Sequence, residues 1–163
     1  MPDRSEILNL LEEYGIPYEL SKHPAVFNIE EISKIELPYP DRIAKNLFIR
    51  DDKKRNYALL TIMGHQRVDL KEFRKSQGTR ALSFASSEDL FRFLKLTPGA
   101  VTPLGLLNDS DHSVRLFLDA SFLEGNGKIG VHPNDNTATV WLSTNDLIRL
   151  LSTHGTTIQT VHF

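Results

Sequence analysis

Three short stretches carry the residue types that could do chemistry. In the first, Lys45 and Asn46 stand directly before the apolar run Leu47-Phe48-Ile49, and the charged cluster Asp51 to Arg55 follows it. That pattern reads as a strand ending in a turn, with the lysine at its mouth. A lysine so placed can hold its ammonium at the end of a sheet, where it meets a phosphate or a carbonyl; the other reading is a lysine snorkelling from a solvated strand end. The second stretch, Thr97 to Gly105, holds Pro98, Gly99, Pro103 and Gly105 among Ala100, Val101, Thr102 and Leu104. Glycine lets backbone approach a ligand closely, and rigid N–H groups around it can stabilise a developing oxyanion. A plain connection stiffened by its prolines is the alternative. In the third, His132 sits where a strand-like run meets the turn Pro133-Asn134-Asp135-Asn136. It could orient a substrate or carry a proton near neutral pH, or be a solvated turn residue; His23 in His23-Pro24-Ala25-Val26-Phe27 has the same two readings.

Several machineries are absent. The chain has no cysteine, which removes disulfides, thiolate zinc sites and a cysteine nucleophile together. There is no His-Glu-x-x-His pair, no Gly-x-Ser-x-Gly elbow and no phosphate-binding Walker loop. Asn108-Asp109-Ser110-Asp111-His112 reads as an exposed turn. Neither a metal nor a cofactor is expected.

The elements that must position these residues are legible from their punctuation. Asp3 with Glu6, Asn28 with Glu31, Asp69 with Glu72, Ser86 with Asp89 and Ser143 with Asp146 each place a capping side chain three residues before a carboxylate. Behind them run apolar stripes: Ile7, Leu8, Leu11 and Tyr14, then Ile29, Ile32 and Ile35 up to Pro38. The later three follow Asp69 as far as Gly78, Ser86 as far as Pro98, and Ser143 as far as Gly155. Strands are predicted near Tyr18–Leu20, Lys45–Arg50, Tyr57–Met63, Ala81–Ala85, Val114–Leu118, Lys128–Val131, Thr137–Leu142 and Ile158–Val161. Two hairpins stand out, one through Asp51 to Asn56 and one through His132 to Asn136. Helices interspersed with hairpins argue an α+β fold with a mixed, mostly antiparallel sheet. The 163 residues contain no linker or repeat and suit a single domain over 1–163. A net charge of −2 excludes bulk basic wrapping of nucleic acid, so no DNA partner is expected, while Lys53, Lys54, Arg55, Arg67, Lys71, Arg74, Lys75 and Arg80 leave room for a local basic face. The polar N-terminus is not a signal peptide, and no apolar run approaches the ~20 residues of a membrane span. A cytoplasmic protein with no membrane contact is expected.

Taken in order, five blocks resemble the YbaK family, the domain associated with prolyl-tRNA synthetase, and most closely its free-standing editing members of the ProX or PrdX type. The blocks are His23-Pro24-Ala25-Val26-Phe27; Lys45-Asn46-Leu47-Phe48-Ile49-Arg50-Asp51; Leu82-Ser83-Phe84-Ala85-Ser86; Gly99 to Asp109; and His132 to Thr139 followed by Leu142-Ser143. They span about residues 23 to 151. The resemblance implies a helix-wrapped mixed sheet with a cleft, and hydrolysis of an aminoacyl-tRNA whose amino acid does not match its tRNA: alanine on tRNA for proline, or alternatively cysteine or serine. A non-catalytic tRNA- or synthetase-binding module is the reading from another class. The resemblance makes Lys45, Gly99 and His132 the catalytic set. It makes Val26, Phe27, Asn46, Leu47, Ala100, Val101, Thr102, Pro103 and Leu104 the substrate-binding set, with Leu104 where the family often has phenylalanine. The partners it implies are the acceptor end of tRNA for proline and the prolyl-tRNA synthetase. An aminoacyl ester is already activated, so a placed water and a stabilised oxyanion suffice, which suits a hydrolase without a triad.

Overall fold

The structure is a computed structural model describing residues 3–26, 28–32 and 34–163, apart from the side chain of Ile29. The elements run α1 (Arg4–Glu13), β1 (Tyr18–Lys22), α2 (Ile29–Ile32), β2 (Ala44–Asp51), β3 (Tyr57–Met63), α3 (Leu70–Gln77), β4 (Leu82–Phe84), α4 (Ser87–Leu94), β5 (Val114–Asp119), β6 (Lys128–Val131), β7 (Ala138–Ser143), α5 (Thr144–His154) and β8 (Ile158–Val161). The predicted caps act: the side chains of Asp3, Asp69, Ser86 and Ser143 accept backbone N–H bonds in the first turns of α1, α3, α4 and α5. Gly78 and Gly155 end α3 and α5 in left-handed backbone, at φ 65 and 113, where a side chain would be strained. The apolar stripe after Asn28 makes only one helical turn, although Asn28 does cap it through Glu31 N.

The fold is α+β with mixed sheets, and the sheet divides in two. Five strands lie in the order β4-β2-β3-β5-β8 and three in the order β1-β7-β6. Both predicted hairpins pair antiparallel, whereas β3–β5 and β5–β8 are parallel. Among the described residues, one isolated parallel bridge, Ile43 to Gly130, joins the sheets just before β2 begins. Glycine is required at 130, because a Cβ there would run into the Trp141 ring.

Strand alternation divides the core. Phe48, Leu59, Leu116 and Leu118 face one side and pack with Ile7 and Leu11 of α1, Leu90 and Leu94 of α4, Leu147 and Leu151 of α5, and Val140 and Leu142 of the small sheet. Ile49, Leu60 and Phe117 face the other side, under Phe73 of α3, whose ring meets Phe117 edge-on at 5.0 Å. Phe73 is the main anchor of α3, so Phe73→Ala should cost about 3–5 kcal/mol and loosen that helix first. The entry to β2 is held by Arg42. Its guanidinium is buried and donates from Nε to Lys128 O (2.8 Å) and from Nη2 to Phe122 O (2.8 Å) and Glu124 O (3.1 Å). Three carbonyls thus replace its water and tie the first residues of β2 to the second sheet.

Candidate active site

Where the two sheets meet, a cavity of about 570 Å³ opens, lined by Lys45, Asn46, Gly99, Val101, His132 and Val26 together with Asn28, Glu30, Ile32, Ile43, Ala44 and Pro98. The three stretches singled out in the sequence converge here. β2 supplies Lys45 and Asn46, the loop after α4 supplies Gly99 and Val101, and the turn after β6 supplies His132.

Each polar group has a describable environment. Lys45 shares a strand face with Leu47 and Ile49, the face that α3 covers, and its Nζ donates to the Gln66 carbonyl. Burial, and then the Arg67 guanidinium nearby, hold its pKa below the usual lysine value. Asn46 points the other way and acts as a brace: Nδ2 donates to Val101 O (3.2 Å), and Oδ1 accepts from Thr61 Oγ1 (2.6 Å). The loop carrying Gly99 is thereby fastened to β2 and β3. His132 Nδ1 lies 2.9 Å from the Ala138 carbonyl; a carbonyl only accepts, so Nδ1 carries the hydrogen and Nε2 of the neutral ring is a lone-pair acceptor. Burial lowers the pKa of this histidine, which favours the neutral ring. His23, 6.2 Å away ring to ring, has both nitrogens engaged, Nδ1 with Pro24 O and Nε2 with Thr139 Oγ1, each at 2.9 Å. It is a buried brace behind His132.

Other expected wall residues lie elsewhere. Leu47 alternates onto the α3 face and packs against the cluster of Ile49, Leu60, Phe73 and Phe117. Leu104 is fully buried in the main core. Thr102 Oγ1 accepts from Leu104 N (3.3 Å) and starts a 3₁₀ turn over Pro103–Asn108 that drives Leu104 and Leu106 inward. Ala100, Thr102 and Pro103 are buried with it and shape the loop from behind, outside the cavity wall. Phe27 lies outside the described residues.

The apolar wall is instead made by Val26, Ile32, Ile43 and Val101. Ile43 carried no sequence signal, because it precedes its strand and faces a cavity that only the inter-sheet bridge creates. Asn28 was legible as a helix-start residue with Glu31; that the same turn also borders the cavity, through Asn28 and Glu30, was not. Among the described residues no three His, Asp or Glu side chains converge as a metal site would require.

This architecture has known relatives. Residues 23–150 match the model of the aminoacyl-tRNA editing domain. The chain belongs to that family. It is 41% identical over 161 residues to the "Prolyl-tRNA editing protein ProX" of Acetoanaerobium sticklandii, covering 99% of this chain and 98% of that protein. It is 36% identical over 155 residues to the mouse (Mus musculus) "Prolyl-tRNA synthetase associated domain-containing protein 1", covering 93% and 91%. In fold it is similar to a crystal structure described as a candidate trans-editing enzyme for prolyl tRNA synthetase, with TM-score 0.71 at 19% identity over 99% of this chain and 97% of the other. The editing domain is thus an aminoacyl-tRNA deacylase, and its chemistry is hydrolysis of the ester that joins an amino acid to tRNA. No helix among the described residues is long and apolar enough to cross a membrane.

Proposed function

We propose that this editing domain acts in trans on tRNA for proline and removes alanine that has been attached in error. The observation that carries the reading is the cavity itself, in which one lysine ammonium, one glycine loop and one neutral histidine face an apolar wall. Full-length similarity to a prolyl-tRNA editing protein supports the choice of tRNA.

The volume of about 570 Å³ exceeds what a small amino acid fills, so the terminal ribose enters with the ester. Lys45, anchored on the Gln66 carbonyl, has two hydrogens left for the terminal nucleotide's phosphate or the ester carbonyl. Glu30 in the wall is placed to meet the amino group that every aminoacyl ester carries. The loop at Gly99, held by Asn46, presents backbone N–H groups to the carbonyl oxygen as it becomes an oxyanion. His132 Nε2 accepts a hydrogen bond from the attacking water or the ribose 2′-hydroxyl. The water adds to the ester carbon, the 3′-oxygen leaves with a proton, and free alanine and tRNA are released. None of these steps draws on a metal, so activity should survive a chelator.

A synthetase pocket shaped for proline cannot exclude the smaller alanine by size, because missing methylenes are worth only about 1–3 kcal/mol each. The second site must sieve in the opposite sense, and Val26, Ile32, Ile43 and Val101 supply a tight wall for that. The test is single-turnover deacylation of the Ala, Ser, Cys and Pro esters on one tRNA for proline. Alanine should be fastest, serine slower because the apolar wall leaves its hydroxyl unpaired, and proline slowest. Equal Ala and Pro rates would dispose of the sieve, and Cys far ahead of Ala would reassign the substrate. Ile43→Ala should raise the Pro rate, whereas Leu104→Ala acts on the core.

A further inference from the structure

α3 has two unlike flanks. Leu70 and Phe73 face the sheet. Lys71, Arg74 and Lys75, at i, i+3 and i+4, form one exposed flank, while Glu72 and Ser76 lie on the other. Residues 67 to 80 hold five cations, Arg67, Lys71, Arg74, Lys75 and Arg80, against the two carboxylates Asp69 and Glu72, in a chain whose net charge is −2. Asp69 is engaged in capping the helix through Lys71 N and Glu72 N. Arg80 is held by Asp52 through two bonds, 2.6 and 3.0 Å. Among the described residues, no carboxylate lies within ion-pair distance of Arg67, Lys71, Arg74 or Lys75.

Placement gives this patch a direction. The helix covers the face of β2 that carries Lys45, and Arg67 is close enough to Lys45 to lower its pKa. From Arg67 the cations continue along α3 to the Arg80–Asp52 latch, which closes a small hollow with Arg74 and Gly78, and then to the β2–β3 turn with Lys53, Lys54 and Arg55. The band therefore begins beside Lys45, which lines the cavity, and follows β2 for roughly 20 Å, at about 3.3 Å per strand residue.

We infer that the Lys71–Arg74–Lys75 flank of α3, with Arg67 ahead of the helix beside Lys45, is the docking surface for the phosphate backbone of the acceptor stem, continuous with the lysine that meets its terminal nucleotide. The inference rests on the proposed function for the identity of the RNA. A backbone contact of this kind is independent of sequence and releases counterions, so it sets affinity and its salt dependence and leaves the chemical step untouched.

The experiment compares single charge reversals Lys71→Glu, Arg74→Glu and Lys75→Glu with Arg149→Glu on α5, which makes the same change in net charge on a different helix. Binding of uncharged tRNA for proline is measured against salt, and deacylation is measured on Ala-tRNA and on 3′-alanyl-adenosine, which has no stem. Each α3 reversal is expected to weaken tRNA binding several-fold and to lower the log–log salt slope by about 1. It should raise KM on Ala-tRNA at unchanged kcat and leave 3′-alanyl-adenosine hydrolysis as in the wild type. Arg149→Glu should change none of these. Wild-type tRNA affinity and salt slope in all three α3 variants, or an equal loss in Arg149→Glu, would overturn the surface even where deacylation is intact. If no ester is hydrolysed but the α3 reversals still flatten the salt slope, the docking surface stands and the proposed chemistry falls.

Discussion

The two ends of β2 are seven residues apart and obey opposite rules. At its far end, Asp51 is buried and fully served: its carboxylate accepts from Arg55 N (2.9 Å) and Asn56 Nδ2 (2.7 Å). The Arg55 N–H and then the Asn56 amide hold its pKa below the ordinary aspartate value of 3.8. At its near end, Lys45 is partly desolvated, accompanied by Arg67 and given a single carbonyl, and its pKa is lowered for the opposite reason, because the charged form is disfavoured. Both shifts are downward, yet one marks stabilisation and the other a cost. A lowered carboxylate pKa adds stability above pH 3.8; a lowered lysine pKa means the unfolded chain binds the proton more tightly, so holding the ammonium opposes folding below its shifted value. An unfavourable charge held in a cavity marks a candidate functional residue, which the satisfied carboxylate of the turn does not.

The largest effect that tests this contrast is at Lys45. Lys45→Ala should lower deacylation of Ala-tRNA by roughly 10³, the upper range for removing one stabilising donor, while thermal unfolding stays level or rises slightly. A Tm drop of many degrees with near-normal turnover would make Lys45 a structural residue and collapse the distinction between the two ends.

Next comes Gly99, on the loop that Asn46 ties to the near end. Gly99→Val places a branched side chain in the cavity wall and should slow turnover by roughly 10² with little change in Tm. Full activity in this variant would remove the loop from the mechanism.

What the sequence showed and hid follows the same physical line. The Lys45 strand, the 128–131 and 138–143 pairing and four of the five principal helices were readable because caps, alternation and turns are local, acting over a few residues. The stretches carrying Lys45, Gly99 and His132 stood out by residue type, and the structure brings all three to one cavity. The errors lie where tertiary contacts decide. Leu104 looks like a pocket wall beside Val101, but the Thr102 hydroxyl starts a turn that buries it. Leu47 is one residue from Asn46, and the strand's period of two sends it to the opposite face. Ile43 became a wall residue only through its bridge to Gly130, which is remote in sequence. Arg42 gave no hint that three distant carbonyls would bury it.

A smaller effect belongs to the far end. Asp51→Ala leaves the Arg55 N–H and the Asn56 amide without their acceptor, at a cost of about 1–2 kcal/mol because the turn itself is open to water. For a chain of this length that is a Tm drop of roughly 2–8 °C, with kcat unchanged. The difference between wild type and Asp51→Ala should be full above pH 3.8 and shrink as pH falls through the lowered value, since protonation removes the same acceptor. A difference that persists undiminished in strong acid would mean that Asp51 acts by packing.

The smallest effect, and the one that separates site from scaffold most finely, is the acid limb of His132. Its ordinary value would be 6.5, and burial lowers it, with His23 acting in the same direction and the Ala138 carbonyl and Asp135 opposing. The sign follows from proton counting. Between the lowered value and 6.5 the unfolded chain binds a proton that the native ring does not, so stability rises with pH across that window and the penalty is fully present below it. Activity should follow the native value alone, because it needs the neutral ring with Nε2 free to accept. The acid limb of kcat/KM should therefore lie below pH 6.5, and stability should begin to fall at a higher pH than activity does. His132→Gln keeps a donor for Ala138 O, so it should lower activity by roughly 10-fold, flatten the acid limb and flatten the stability slope in the same window. An activity limb at or above pH 6.5, or one that survives unchanged in His132→Gln, would show that a different group titrates in the reaction and would leave His132 in the same role as His23, a brace for the turn that carries it.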